Sequence, residues 1–179
     1  MSDNETGLGS YAELMPKEVW TEVYPNLWMG GTDDDDTIGR SELLEPRITK
    51  ANFDTVVSLH AWSNPVDWFV REIRQPFQDG EISEFNESDL EFLVRLVCYE
   101  LEQGKNVLIR CLSGLNRSGL LTTMVLMELG YPAKETIKHL RELRSPLVLC
   151  NKDYEQWLLE RDEKLSQSAD EQAVDEDVS

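Results

Sequence analysis

Apolar and polar positions along this chain follow two different periods, and each change of period marks an element. Residues 19–24 (Val-Trp-Thr-Glu-Val-Tyr) alternate with period two, as expected for a strand with one covered face. Pro25 and Asn26 form a turn, and residues 27–31 read as a short strand ending in two glycines. Residues 54–60 are a β-branched apolar run, the pattern of a buried strand. A further strand is predicted over 68–73, stopping before Pro76. After a polar stretch at 78–84, the period becomes helical over 88–103, with Leu90, Phe92, Leu93, Leu96, Val97 and Leu101 apolar. Ser88 and Glu91 form a capping box and Gly104 a stop. Residues 106–110 predict a strand, and 118–129 an apolar helix ended by Gly130 and Pro132. Two more helices are predicted over 133–144 and 152–165. Strands alternating with helices imply an α/β fold with a central mixed, mostly parallel sheet flanked by helices. No internal repeat is present.

Length and charge then bound the function. A chain of 179 residues suits one domain. That domain is placed at 18–165, between a disordered N-terminal arm (1–17) and an acidic disordered tail (166–179). Four consecutive aspartates at 33–36 are read as a solvated loop capping a helix near Thr37, because adjacent residues cannot all converge on one cation. The formal net charge of -18 repels nucleic acid and anionic membranes. It also repels phosphorylated molecules, so a phosphate site here must create its own local positive potential. The chain carries no apolar run of membrane-spanning length, and its polar, acidic start lacks the features of a signal peptide. A cytoplasmic monomer with neither membrane nor nucleic acid as partner is therefore expected. Three cysteines, Cys98, Cys111 and Cys150, do not form a disulfide framework, and no Cys or His spacing suits zinc. No metal or cofactor is expected.

One segment concentrates chemistry. In residues 107–119 a strand delivers Cys111 into a loop, and a helix departs at Ser118. A loop winding into a helix N-terminus turns several backbone N–H groups inward, where they bind an anion. Leu112, Ser113, Gly114, Leu115, Asn116 and Arg117 are the expected phosphate-binding residues. Gly114 permits the backbone angles needed, and Arg117 offers a bidentate fork. At the floor of this positive cup Cys111 is poised as a thiolate nucleophile. The Ser118 hydroxyl can stabilise the sulfur as a leaving group, or cap the helix, or both. A proton donor for the departing oxygen is also required, and Asp79, Glu81 and Glu84 are the candidates.

Cys-x5-Arg-Ser between a strand and an apolar helix resembles the cysteine-dependent tyrosine phosphatase superfamily, and more narrowly the small dual-specificity phosphatases. The resemblance extends over about residues 19–160 and includes the opening strand at 24–31, the core strand at 54–59, and residues 76–79 where that family carries its general-acid loop. It implies a dual-specificity phosphatase-like fold with Asp79 as the acid and Asn151 as a brace for the loop. It further implies a phosphocysteine on Cys111, hydrolysed with the same carboxylate as base while Ser118 assists thiolate departure, and a phosphorylated protein as substrate. One departure stands out. The family usually has His before the nucleophile; here it is Arg110, which should point away from Cys111 and donate to loop carbonyls or to a nearby carboxylate.

Two competitors remain open. The string from Gly114 to Gly119 resembles the loop of cysteine-type RNA 5′-triphosphatases, although so acidic a chain lacks the basic track an RNA enzyme needs. A catalytically weak phosphate-binding module is the other. The uncharged loop interior disfavours a lipid substrate. Cys98 and Cys150 are read as buried thiols, His60 and His139 as packing or surface residues, and Trp62 and Trp68 as candidates for the cleft mouth.

Overall fold

The computed structural model describes residues 11–32 and 46–176. A five-stranded sheet has the order β1-β2-β5-β3-β4, with β1 (Trp20–Tyr24), β2 (Leu27–Gly30), β3 (Thr55–Ser58), β4 (Arg71–Arg74) and β5 (Val107–Arg110). Only the β1–β2 hairpin is antiparallel; the other neighbours run parallel. The helices are α1 (Tyr11–Leu14), α2 (Glu87–Glu102), α3 (Arg117–Glu128), α4 (Ala133–Leu143) and α5 (Lys152–Glu176). The expected α/β class and mostly parallel sheet are what the chain forms.

β5 is the centre of the molecule. All four of its residues are buried, as are all four of β3, because both strands are covered on two faces. On one face Val57, Val107 and Ile109 join the main core with Leu90, Leu93 and Val97 of α2 and Leu120, Leu121 and Val125 of α3. On the other, Val56 and Leu108 pack with Ile48, Phe53 and Val70. Register places Gly30, Arg110 and Ser58 in one row at the carboxyl ends of three parallel strands. That row is where open α/β sheets bind ligands.

Several boundaries differ from expectation. The strand predicted at 68–73 lies at Arg71–Arg74, and Trp68 and Phe69 are 91% and 79% exposed. The α2 cap is Asn86, whose side chain accepts from the Ser88 N–H, in place of a Ser88–Glu91 box. Residues 11–14, expected within a disordered arm, form α1, and Met15 enters the core. α5 runs past Leu165 to Glu176, into the segment expected as a disordered tail. The 33–36 acidic run and the helix near Thr37 lie outside the described residues.

Candidate active site

The loop after β5 is built by its outward contacts. The Leu112 carbonyl accepts from Thr32 N–H at 2.9 Å and the Leu115 carbonyl from Leu149 N–H at 3.2 Å. The Gly114 carbonyl accepts from Arg144 Nε at 2.7 Å. Described peptide bonds are all trans. In a trans peptide C=O and N–H point in opposite directions. The N–H groups of Ser113, Leu115 and Asn116 therefore face inward, away from those anchors, and form a nest for an anion. Gly114 sits at φ +67°, and a Cβ there would lie 2.3 Å from the Gly30 carbonyl carbon. No other residue fits this close approach.

Cys111 lies at the floor of the loop, 2% exposed, with its Sγ 3.3 Å from Ser118 Oγ. Ser118 is fully buried inside the first turn of α3, whose cap position belongs to Asn116, so its hydroxyl is directed to sulfur and not to capping. Arg117 is nearly buried. Its Nη1 donates to the Leu59 and Phe77 carbonyls at 3.1 and 2.9 Å, while its buried Nε has no partner among the described residues. A buried donor of a charged group left unpaired in this way calls for an acceptor such as an oxyanion.

Asp79 joins this site; Glu81 and Glu84 are exposed on the adjoining turn and do not. Asp79 Oδ2 accepts from Asn116 Nδ2 at 3.1 Å and its Oδ1 from Asn151 Nδ2 at 3.3 Å. Both amides are oriented by second contacts. Asn116 Oδ1 accepts from Asn151 N–H at 3.0 Å, and Asn151 Oδ1 accepts from Asp153 N–H at 3.1 Å as the α5 cap. Asn151 Nδ2 also reaches the Gly80 carbonyl at 2.8 Å.

Arg110 is completely buried behind the loop. Its Nε donates to Ser58 Oγ at 2.9 Å, and its Nη2 to Glu72 Oε1 at 3.1 Å and to the Asn64 carbonyl. The expected carboxylate partner is thus Glu72, which also accepts from Ser58 Oγ at 2.7 Å and pairs with Arg74 at 3.0 Å. Arg110 does not hold a phosphate-loop carbonyl. Arg144, from the end of α4, does so, and it also ties the loop to Thr21 Oγ1 at 2.9 Å and to the Val19 carbonyl at 3.2 Å.

Other expectations divide. Cys98 is buried on α2. There burial, followed by the nearby Glu128 and Glu102 carboxylates, raises its thiol pKa to about 11. Cys150, expected to be buried, is exposed beside Asn116. His139 bonds the Val23 carbonyl at 2.9 Å, a packing role. Trp62, 84% exposed, follows β3 on the phosphate-loop side. Trp68 precedes β4, whose start is level with Thr55, and so lies at the opposite end of the sheet from the cleft. Among the described residues no cluster of three or more His, Cys, Asp or Glu could hold a metal ion. No described helix is long and apolar enough to cross a membrane. Sequence reasoning missed Arg144, Ser58, Glu72 and the Tyr154 hydroxyl as parts of the site. For Tyr154 a signal existed, since it sits three residues after Asn151 on one helical face.

A loop and helix N-terminus at the carboxyl end of a parallel sheet, with cysteine at its floor and arginine at its end, define an anion-binding cup above a thiol. No family model matches the sequence, and neither does any curated protein. The fold is that of small dual-specificity phosphatases. Human DUSP28 superposes with a TM-score of 0.66 at 21% identity, over 83% of this chain and 99% of that one. OH1 from the Orf virus, a tyrosine phosphatase with triple substrate specificity, gives 0.60 at 19%, over 84% and 96%. PTPMT1 in complex with PI(5)P gives 0.60 at 14%, over 85% and 99%.

Proposed function

We propose that this chain is a cysteine-dependent protein phosphatase that hydrolyses phosphotyrosine, with phosphoserine and phosphothreonine as further substrates. The observation that carries this reading is the pairing of Cys111 Sγ with Ser118 Oγ at 3.3 Å beneath a loop that also presents the unpartnered Arg117 Nε. In the proposed first step the Cys111 thiolate attacks phosphorus. An S–P bond forms, the P–O bond to the leaving group breaks, and Asp79 gives that oxygen its proton. Arg117 and the inward N–H groups hold the equatorial oxygens as charge builds on them. In the second step water attacks the phosphocysteine, Asp79 takes its proton, and the S–P bond breaks with the Ser118 hydroxyl donating to the departing thiolate. Phosphate leaves.

The loop sequence resembles that of RNA 5′-triphosphatases, and PTPMT1 shows that the fold accommodates a phosphoinositide. The cations around this loop favour the protein reading over either. Arg110 is paired with Glu72, Arg74 grips the Ala61 and Ser63 carbonyls, and Arg144 is spent on loop and β1 contacts. They build the site and do not form a basic track beside it.

The test is turnover of an aryl phosphate and of phosphotyrosine and phosphoserine peptides by wild type, Cys111→Ser and Asp79→Ala. Phosphate should be trapped on Cys111 in Asp79→Ala after an acid quench. A wild type inactive on all three substrates would sink the reading, and full activity in Cys111→Ser would sink the nucleophile.

A further inference from the structure

Asp79 lies in the connection between β4 and the 3-10 turn Ile82–Glu84, and every residue of the stretch Phe77 to Gly80 within it is tied down. Arg117 Nη1 holds the Phe77 carbonyl, Asn116 and Asn151 hold the Asp79 carboxylate, and Asn151 holds the Gly80 carbonyl. The remaining main-chain ties converge on one atom. Tyr154 Oη donates to the Gln78 carbonyl at 3.0 Å and accepts from Gly80 N–H at 3.3 Å. A single hydroxyl thus bridges the residues on either side of the acid and uses both its donor and its acceptor capacity.

The phenol is itself held. Tyr154 is completely buried, with its ring edge-on to Phe85 at 5.9 Å. Phe85 in turn meets Phe77 at 5.7 Å and Trp157 at 5.3 Å, so the aromatic cluster ends on the acid loop itself. Burial raises the phenol pKa, which keeps the O–H available as a donor. Tyr154 rides on the first turn of α5, whose cap is Asn151, so one helix terminus supplies both the amide for the carboxylate and the hydroxyl for its backbone.

We infer that Tyr154 is a positioning residue for general acid catalysis: its hydroxyl fixes the main chain at Gln78 and Gly80 so that the Asp79 carboxyl is placed over the phosphate loop before substrate arrives. A surface loop bearing Gly80 would otherwise sample many conformations, and a misplacement of about 1 Å in a reacting group costs up to ~100-fold in rate. The inference rests on the phosphatase reading for its consequence in catalysis, but not for the latch itself.

Two measurements on Tyr154→Phe separate these. In the first, kcat/KM, which covers the steps through departure of the leaving group and excludes the later hydrolysis common to all substrates, is compared across aryl phosphates, from dinitrophenyl phosphate, whose leaving group departs unprotonated, to phenyl phosphate, which needs the proton. A lost hydrogen-bond bridge predicts about a tenfold fall in kcat/KM on phenyl phosphate and less than about twofold on dinitrophenyl phosphate. In an Asp79→Asn background the same change should cost nothing further. Equal losses across the series, or an undiminished loss in the Asp79→Asn background, would overturn the inference. The second measurement is amide hydrogen exchange. The Gly80 N–H should exchange at least about tenfold faster in Tyr154→Phe while β5 amides keep wild-type rates. An unchanged Gly80 rate overturns the latch. Should the wild type turn over no aryl phosphate, the phosphatase reading fails, and Gly80 exchange alone decides whether Tyr154 holds the loop.

Discussion

Asn116 Nδ2 donates to Asp79 Oδ2 at 3.1 Å, so the loop that would grip phosphate also grips the acid that would protonate the leaving group. Asn116 is not free to turn, because its Oδ1 is engaged by the Asn151 N–H at 3.0 Å. The amide therefore presents nitrogen, not oxygen, to the carboxylate. Two segments far apart in sequence become one structural unit through this side chain.

Asn116→Ala should lower kcat for phenyl phosphate by roughly tenfold, the worth of one hydrogen bond to a charged group, against the ~10²–10⁴-fold expected for loss of a general acid in Asp79→Asn. Because both act through the same carboxylate, their effects should not add. Steady-state kinetics on the two single variants and the double variant check this. Additive losses would mean that Asn116 acts elsewhere.

Gly114→Ala should be among the most damaging single substitutions outside Cys111 and Arg117. The backbone at φ +67° is strained for a residue with Cβ, and that Cβ would lie 2.4 Å from Arg144 Nη2 as well as against Gly30. Strain and overpacking together predict a loss of about 3 kcal/mol, or about 10 °C in Tm for a domain of this size. Thermal unfolding followed by circular dichroism measures it. A shift below about 2 °C would show that Arg144 and the β2 end yield easily.

Arg110→Met should destabilise the fold by about 3 kcal/mol, because Glu72 loses a buried partner while Ser58 Oγ loses its donor. Adding Glu72→Gln should restore part of the loss, since the uncompensated carboxylate is then gone. Urea unfolding of both variants provides the comparison. Equal stability of single and double variants would leave Glu72 sufficiently neutralised by Arg74 alone.

The contrast between Cys111 and Glu72 explains how much of the site could be read from the chain. Cys111, Arg117 and Ser118 lie within eight residues, so their convergence follows from one strand, one turn and one helix start. Glu72 and Arg144 reach the same site only through tertiary packing, and nothing local marks them, while Tyr154 is marked only by its spacing of three from Asn151. The fold behaves likewise. β1, β2, β3, β5 and the helices over 88–103 and 118–129 carry a period strong enough to locate them. β4 does not, because Arg-Glu-Ile-Arg holds a single apolar residue and is an edge strand defined by backbone pairing to β3. The more apolar Trp68 and Phe69 draw the expectation toward themselves and lie exposed outside the strand.

Acid should loosen the support beneath the phosphate loop. The Arg141 guanidinium, bonded to Glu155 at 2.9 Å, lowers the Glu155 pKa from its free value of 4.5 despite partial burial, with Lys152 assisting. Arg141 also holds the Val148 and Leu149 carbonyls, and Leu149 N–H anchors the loop at Leu115. A folded-state pKa below the unfolded one contributes stability fully present above pH 4.5 and lost as pH falls through the depressed value. The urea midpoint of wild type should therefore drop more steeply below that pH than the midpoint of Glu155→Gln, with the two curves converging in acid. Parallel curves would remove this pair from the pH response.

The three thiols should react in a fixed order. Cys150 is exposed and its sulfur donates to Asn116 Oδ1 at 3.4 Å, so iodoacetamide should label it readily at pH 8. Cys98 is buried and needs a pH near 11 to ionise, so it should stay unlabelled until urea unfolds the chain. Cys111 lies on the floor of a cup lined by inward N–H groups and Arg117, and only its labelling should be slowed by added inorganic phosphate or vanadate. Peptide mapping by mass spectrometry after timed alkylation reads all three at once. Protection of Cys150 to the same degree as Cys111 would place the oxyanion outside the loop. Labelling of Cys98 as fast as Cys150 in the native state would mean that α2 opens from the core.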